Sequence, residues 1–185
     1  MTMPAMAESE QLPVRQAREG NSAAWDALFR RYQLPLYVYV FELVHNEQTS
    51  LDIVQETFIA AARHITGLRD DGKFASWVFG IAHQKCLIHW RKKGGKEILL
   101  DEIPDAPDES LDSPDDVLIR SEDEAEFMNI LSQLSLPHRS VLLLHFVEDF
   151  SLEEIARITE TQIGTVKSRL HYAKKSSRAL LEARK

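Results

Sequence analysis

The chain has a single cysteine, Cys86, in 185 residues, so no disulfide can close within it. A lone thiol fits a reducing compartment and cannot supply a thiolate set for zinc. Long apolar runs are also missing. The longest, Leu34 to Val44, is broken by Glu42 and falls far short of the ~20 residues a membrane-spanning helix needs. Met1 to Glu10 show no basic start and no apolar core, so no secretory signal is expected there, and the expected location is cytoplasmic. There is no Gly-rich phosphate loop. The only Glu-x-x-His, Glu42 to His45, is one where a di-iron bundle needs two, and the seven histidines are scattered. No cofactor, metal or small-molecule substrate is expected, and catalysis by the chain itself is not. No segment alternates as a half-buried strand does, which leaves an all-α chain.

Net charge is −7, an unpromising figure for a binder of polyanions until it is mapped along the chain. Residues 97–126 hold thirteen of the 29 acids and only one base, Arg120. The remainder therefore carries 16 acids against 21 bases. Its basic residues gather at Arg91, Lys92, Lys93 and Lys96, and again from Lys167 to Lys185. Local fields, and not the global sign, decide where a nucleic acid would bind. The acidic stretch includes Pro104, Pro107 and Pro114 among Asp, Glu and Ser, a composition that resists helix and core.

Two small helical domains joined by an acidic flexible linker follow from this pattern. The expected boundaries are a flexible start at 1–10, a first domain at 11–94, the linker at 95–120 and a second domain at 121–185. In the first domain a short helix spans 11–19. Asn21-Ser22 caps a second that carries Trp25, Leu28, Phe29 and Tyr32 and bends at Pro35. A third runs from about Thr49 to Ile65 and is closed by Gly67. A fourth runs from about Ala75 to Lys93 with Trp77, Val78, Ile81, Ala82 and Cys86 inward. Stretched, the linker spans at most roughly 90 Å.

The last forty residues carry the sharpest signal. Ser151 with Glu154 three residues on makes a capping box at the head of a short helix. After a polar turn a longer helix keeps Ile163, Val166, Leu170 and Ala173 on one side and Lys167, Ser168, His171 and Lys175 on or beside the other. That is a helix-turn-helix, whose second helix enters the DNA major groove.

Taken in order, Asp52-Ile53-Val54-Gln55-Glu56-Thr57-Phe58, Phe74-Ala75-Ser76-Trp77-Val78-Phe79-Gly80-Ile81-Ala82, Arg91-Lys92-Lys93, Leu136-Pro137-His138-Arg139, Glu154-Ile155-Ala156 and Gly164-Thr165-Val166-Lys167-Ser168-Arg169-Leu170 form a set. It resembles the extracytoplasmic-function group of bacterial sigma factors, the minimal two-domain members of the sigma-70 family. The likeness covers roughly 11–93 and 122–184. It implies a factor that brings core RNA polymerase to promoters and opens the DNA, with contacts to the polymerase clamp and flap and to duplex and melted promoter DNA. An anti-sigma factor is a commonly implied partner.

Site roles carried over by the resemblance fall on three surfaces. Glu47, Asp52, Gln55 and Glu56 match the clamp-docking face, although Asp52 and Glu56 one turn apart also describe an ordinary solvated face. Lys73, Phe74, Trp77, His83, Gln84, Arg91, Lys92 and Lys93 match the downstream-element region, where a base is unstacked and held. Trp77, spaced with Ile81, also fits a core position. The family pattern has Arg-Asn where this chain has His83-Gln84, so its downstream preference is not inherited. Thr165, Lys167, Ser168, Arg169, His171, Tyr172 and Lys175 match the upstream-element surface, with Lys167 and Ser168 suited to base edges and Arg169 and Lys175 to phosphates. Val141, Leu142, Leu144 and Phe146 serve either the core or a flap pocket. A stand-alone helix-turn-helix regulator with a dimerising or sensing N-terminal bundle is the alternative reading, and a protein-interaction module that titrates polymerase is another.

Overall fold

A computed structural model describes residues 12–94 and 124–183, and every regular element among them is helical. The expected linker with the residues up to 123, the first eleven residues and the last two lie outside the described residues. The first domain contains α1 (Val14–Arg18), α2 (Ser22–Val44), α3 (Glu47–His64) and α4 (Phe74–Lys92). Asn21 caps α2 by accepting from the amides of Ala23 and Ala24, and Asn46 caps α3 through the amide of Thr49. Proline removes one intrahelical donor, yet α2 runs unbroken through Pro35, so the expected bend does not divide the helix. Its length is held by packing: Leu28, Leu36, Tyr39, Val40 and Leu43 are all buried. α3 begins two residues before the expected Thr49 and passes into a 3-10 turn at Ile65–Gly67.

A second 3-10 turn, Asp71–Lys73, leads into α4. Arg18 pins this connection from α1. Its guanidinium donates to the carbonyl of Leu68 at 2.8 Å and pairs with Asp71. Trp90 ties the far end of α4 to α2 by donating to the carbonyl of Leu43 at 3.0 Å. Fixing α4 at both ends positions the face on which the downstream-element residues were expected.

The second domain contains α5 (Glu124–Ser132), α6 (Leu136–Leu142) running into a π-helical turn at Leu143–Val147, α7 (Leu152–Ile158) and α8 (Ile163–Glu182). The capping box heads α7 as expected, with Ser151 accepting from the amide of Glu154 and the Glu154 carboxylate accepting from the amide of Ser151. The turn from α7 to α8 passes through Glu160 at φ 51, a left-handed conformation that costs a non-glycine residue about 1–2 kcal/mol. No glycine marks that turn in the sequence. Val166, Leu170 and Ala173 bury one side of α8 as the periodicity requires, whereas Ile163 is exposed.

The two domains share one continuous core. α4 packs on α7, and α2 meets α6. The rings of Phe79 and Phe150 meet at 5.1 Å and 71°. Gly80 faces α7, where a Cβ added to it would sit in ordinary van der Waals contact, 3.8 Å from the Cα of Ile158. Arg139 crosses the seam. It donates to the carbonyls of Leu131, Ser132 and Leu134 in its own domain and to that of Glu42 at 2.8 Å in the other. Carbonyls at a helix C-terminus lack intrahelical partners, so one guanidinium supplies the ends of both α5 and α2.

Candidate nucleic-acid interface

On α3, Glu47, Asp52, Gln55 and Glu56 are all exposed. Gln48 donates to the Asp52 carboxylate at 3.1 Å, and Glu56 accepts from the Lys85 ammonium of α4 at 2.9 Å. Glu56 remains 63% exposed, so this ion pair holds little energy and leaves the carboxylate accessible. Beside the acidic face lies a groove of about 1030 Å³ between α2 and α3. Phe29, Leu34, Leu51 and Ile59 are large apolar side chains left exposed there. The sequence reading named Phe29 among the apolar residues of the second helix and did not single out a groove. A groove wider than a helical stripe cannot be told from a core face by spacing alone. Exposed apolar surface of this kind marks a contact site.

On α4 the expected downstream-element residues separate into three groups. Arg91, Lys92 and Lys93 are exposed at its C-terminal end. Lys73 is exposed at its start beside Asp70, and Trp77 and Gln84 are half-buried along a cleft of about 630 Å³. Arg157 and Glu160 of the second domain line the same cleft. Phe74 and His83 form the third group, and here the expectation is corrected. Phe74 is fully buried against Tyr32, and its ring touches that of Trp77 at 5.9 Å. His83 is buried, its Nδ1 sharing a hydrogen bond with the Tyr39 hydroxyl of α2 at 2.8 Å. Neither reaches DNA in this arrangement. Burial, and secondarily the charge of Arg169, push the His83 imidazole down to about 4, so it is neutral at physiological pH.

On α8 the upstream-element residues share one side. His171 and Lys175 are exposed, and Thr165, Lys167, Ser168 and Tyr172 are half-buried. The His171 and Tyr172 rings meet edge to face at 5.5 Å. Arg169 is half-buried, and its charge is close enough to bear on His83. Lys174 lies over the half-buried Phe146 ring at 5.3 Å, a cation–π contact. Val141, Leu142 and Leu144 are core residues.

Further titratable groups are buried or half-buried in the core, of which the sequence reading had placed only Cys86 inward. Burial raises the Glu148 carboxyl to about 7, with the neighbouring Asp149 adding to the effect. Glu148 is near enough to raise the buried Tyr39 hydroxyl further. Burial pushes the Cys86 thiol up to about 12, which makes it unreactive. Among the described residues no helix is long and apolar enough to cross a membrane.

Two family models match. One described as Sigma-70 region 2 matches residues 28–95, and one described as Sigma-70, region 4 matches residues 124–176. The chain is 28% identical to the RNA polymerase sigma-H factor of Pseudomonas aeruginosa, over 91% of this chain and 92% of that protein. It is 30% identical to the RNA polymerase sigma factor YlaC of Bacillus subtilis, over 80% of this chain and 86% of the relative. With the ECF RNA polymerase sigma factor SigW of the same organism the identity is 27%, over 91% and 94%. Among solved structures, CnrH in complex with the cytosolic domain of CnrY superposes with a TM-score of 0.67 at 22% identity, covering 95% of this chain and 99% of that one. The sigma factor RpoE in complex with the anti-sigma factor NepR from Bartonella quintana gives 0.62 at 23% identity, covering 84% and 96%. At these identities the two structures bear on the fold.

Proposed function

Because the chain belongs to the sigma-70 family of RNA polymerase sigma factors, in its extracytoplasmic-function group, we propose that it works in the cytoplasm by carrying core polymerase to a specific class of promoters and opening the DNA there. The polymerase performs the nucleotidyl transfer, and this chain supplies recognition. In this reading α8 enters the major groove of the upstream element, with Lys167, Ser168 and Tyr172 toward base edges and Lys175 toward phosphate. Trp77 and Gln84 meet the unstacked downstream strand while Arg91, Lys92 and Lys93 hold its backbone. Asp52, Gln55 and Glu56, together with the apolar groove beside them, dock on the clamp.

The observation that carries this reading is the pairing of a capped helix-turn-helix with a first domain that offers an exposed acidic face and a basic helix end. A duplex-binding regulator alone has no use for the latter two. The solved complexes of CnrH and RpoE with CnrY and NepR support an inhibitor protein as a further partner of this chain. The test is run-off transcription with purified chain, core polymerase and the DNA upstream of its own gene. A discrete new start site is expected, and its absence on that and on randomised promoter pools rejects the reading.

A further inference from the structure

We propose that Ile88 is a base-selecting contact of this chain, taking the 5-methyl group of a thymine on the strand that α4 holds. The inference rests on the sigma-factor reading for the presence of that strand, and goes beyond it in naming a base and the side chain that selects it. Six large apolar side chains stand exposed among the described residues. Phe29, Leu34, Leu51 and Ile59 line the groove between α2 and α3, and Ile163 opens α8. Ile88, 45% exposed, is the remaining one and belongs to α4.

Helix geometry puts Ile88 among the groups that meet the unstacked strand. Trp77, Ile81, Gln84 and Ile88 follow one another at steps of four, three and four, so they share one face of α4. Val78, Phe79, Ala82 and Cys86 occupy the opposite, buried face. Trp77 and Ile81 are half-buried and pack on the core, whereas Ile88 does not. Beyond it stand the exposed cations Arg91 and Lys92. Those cations hold phosphates of any sequence alike. An isoleucine has nothing to offer a phosphate and gains only when apolar matter covers it. The apolar group that sets one DNA base apart from the others is the thymine methyl. Helix formation supplies no reason for the residue either, since a β-branched side chain is a poorer helix former than alanine or lysine.

The spacing also gives a register. Ile88 lies eleven residues past Trp77, roughly 16 Å along the helix axis. Nucleotides stacked about 3.4 Å apart then put its thymine roughly five positions from the base held at Trp77.

The test removes the methyl group and nothing else. In a promoter that the full chain and core polymerase transcribe, each thymine of the downstream element is replaced in turn by deoxyuridine, which pairs alike but lacks the 5-methyl group. At one position the single-round transcript yield at limiting holoenzyme should fall about threefold to fivefold, the worth of burying one methyl group. With Ile88→Ala the same replacement should change nothing, while helix content and binding to core polymerase stay as in wild type. A wild-type chain indifferent to deoxyuridine at every thymine, or an element with no thymine to replace, overturns the assignment. So does an Ile88→Ala variant that keeps the full deoxyuridine effect. A loss of yield in Ile88→Ala with wild-type sensitivity to the methyl would make Ile88 a contact for protein, and overturns it too. If the wild-type chain with core polymerase transcribes no promoter, the sigma-factor reading fails and the contact falls with it, whereas methyl indifference on a working promoter rejects the contact alone.

Discussion

Arg139 and His83 show how one side chain acquires its role from a partner far along the chain. Arg139 lies in a local Leu-Pro-His-Arg motif, and its position within α6 says nothing of the carbonyl of Glu42 that it meets 97 residues away. His83 matched the downstream-element region in the sequence, and its burial comes with a hydrogen bond to Tyr39, 44 residues away. Glu148 follows from the same burial, and its consequence is a pH dependence. Its folded pKa of about 7 is above the ordinary 4.5, so the fold favours the protonated form. Stability is therefore fully present below 4.5 and is lost as pH rises to about 7, at a cost on the order of 3 kcal/mol. His83 acts in the opposite sense. Its folded pKa of about 4 lies below 6.5, so stability is lost as pH falls from 6.5 toward 4. The two slopes oppose each other between 4.5 and 6.5. Glu148→Gln should raise the melting temperature at pH 8 relative to wild type and leave only the histidine slope. An equal melting temperature for the two proteins at pH 8 would show that Glu148 is solvated.

Reading of bases is also decided one residue at a time. Lys167→Ala should relax preference at one upstream base position by about 1–3 kcal/mol, whereas Lys175→Ala should weaken all sequences alike and reduce the salt slope by about one. Site selection from a random pool, run with each holoenzyme, separates the two. An unchanged motif for Lys167→Ala removes that residue from the reading face.

Elements were legible where their signals are local. Asn21 and Ser151 cap α2 and α7 as the sequence indicated, whereas the Asn46 cap of α3, followed by four polar residues, was not singled out. Ends that depend on tertiary packing were not. Pro35 suggested a bend, and the buried face of α2 holds it as one helix. The π turn after Leu142 and the left-handed Glu160 carry no glycine or proline to announce them. The docking face of α3 belongs to this scale because it acts as a surface. Asp52→Lys with Glu56→Lys should abolish binding to core polymerase, since charge reversal adds repulsion at an interface. Glu56 is tied to Lys85 by an exposed pair, so its loss should cost the fold no more than about 1 kcal/mol. Unchanged affinity by fluorescence titration, with helix content preserved, would exclude this face.

At the scale of the whole molecule, the division into two helical units was legible from the acidic, proline-rich stretch between them, and the motif order pointed to the family. Their packing against one another was not. Phe79 stands within a local motif of α4, and nothing in it points to Phe150 of the other domain, whose ring it meets. A seam between domains has no period of its own in the sequence. The acidic charge of the linker suggests a complementary test at this scale. If it competes with DNA for the basic surfaces, the isolated residues 121–185 should bind promoter duplex more tightly than the full chain at low salt, with the gap closing as salt rises. Equal affinities at low salt would leave the linker a tether.

Strand opening is the most direct measure of what this chain does. Permanganate oxidises unpaired thymines, and it can be applied to promoter DNA with the chain alone, with core polymerase alone, and with both. Reactivity confined to the combined sample, just upstream of the transcript's first base, is the expected result. A chain that binds the duplex tightly by itself while the combined sample stays unreactive would contradict the account.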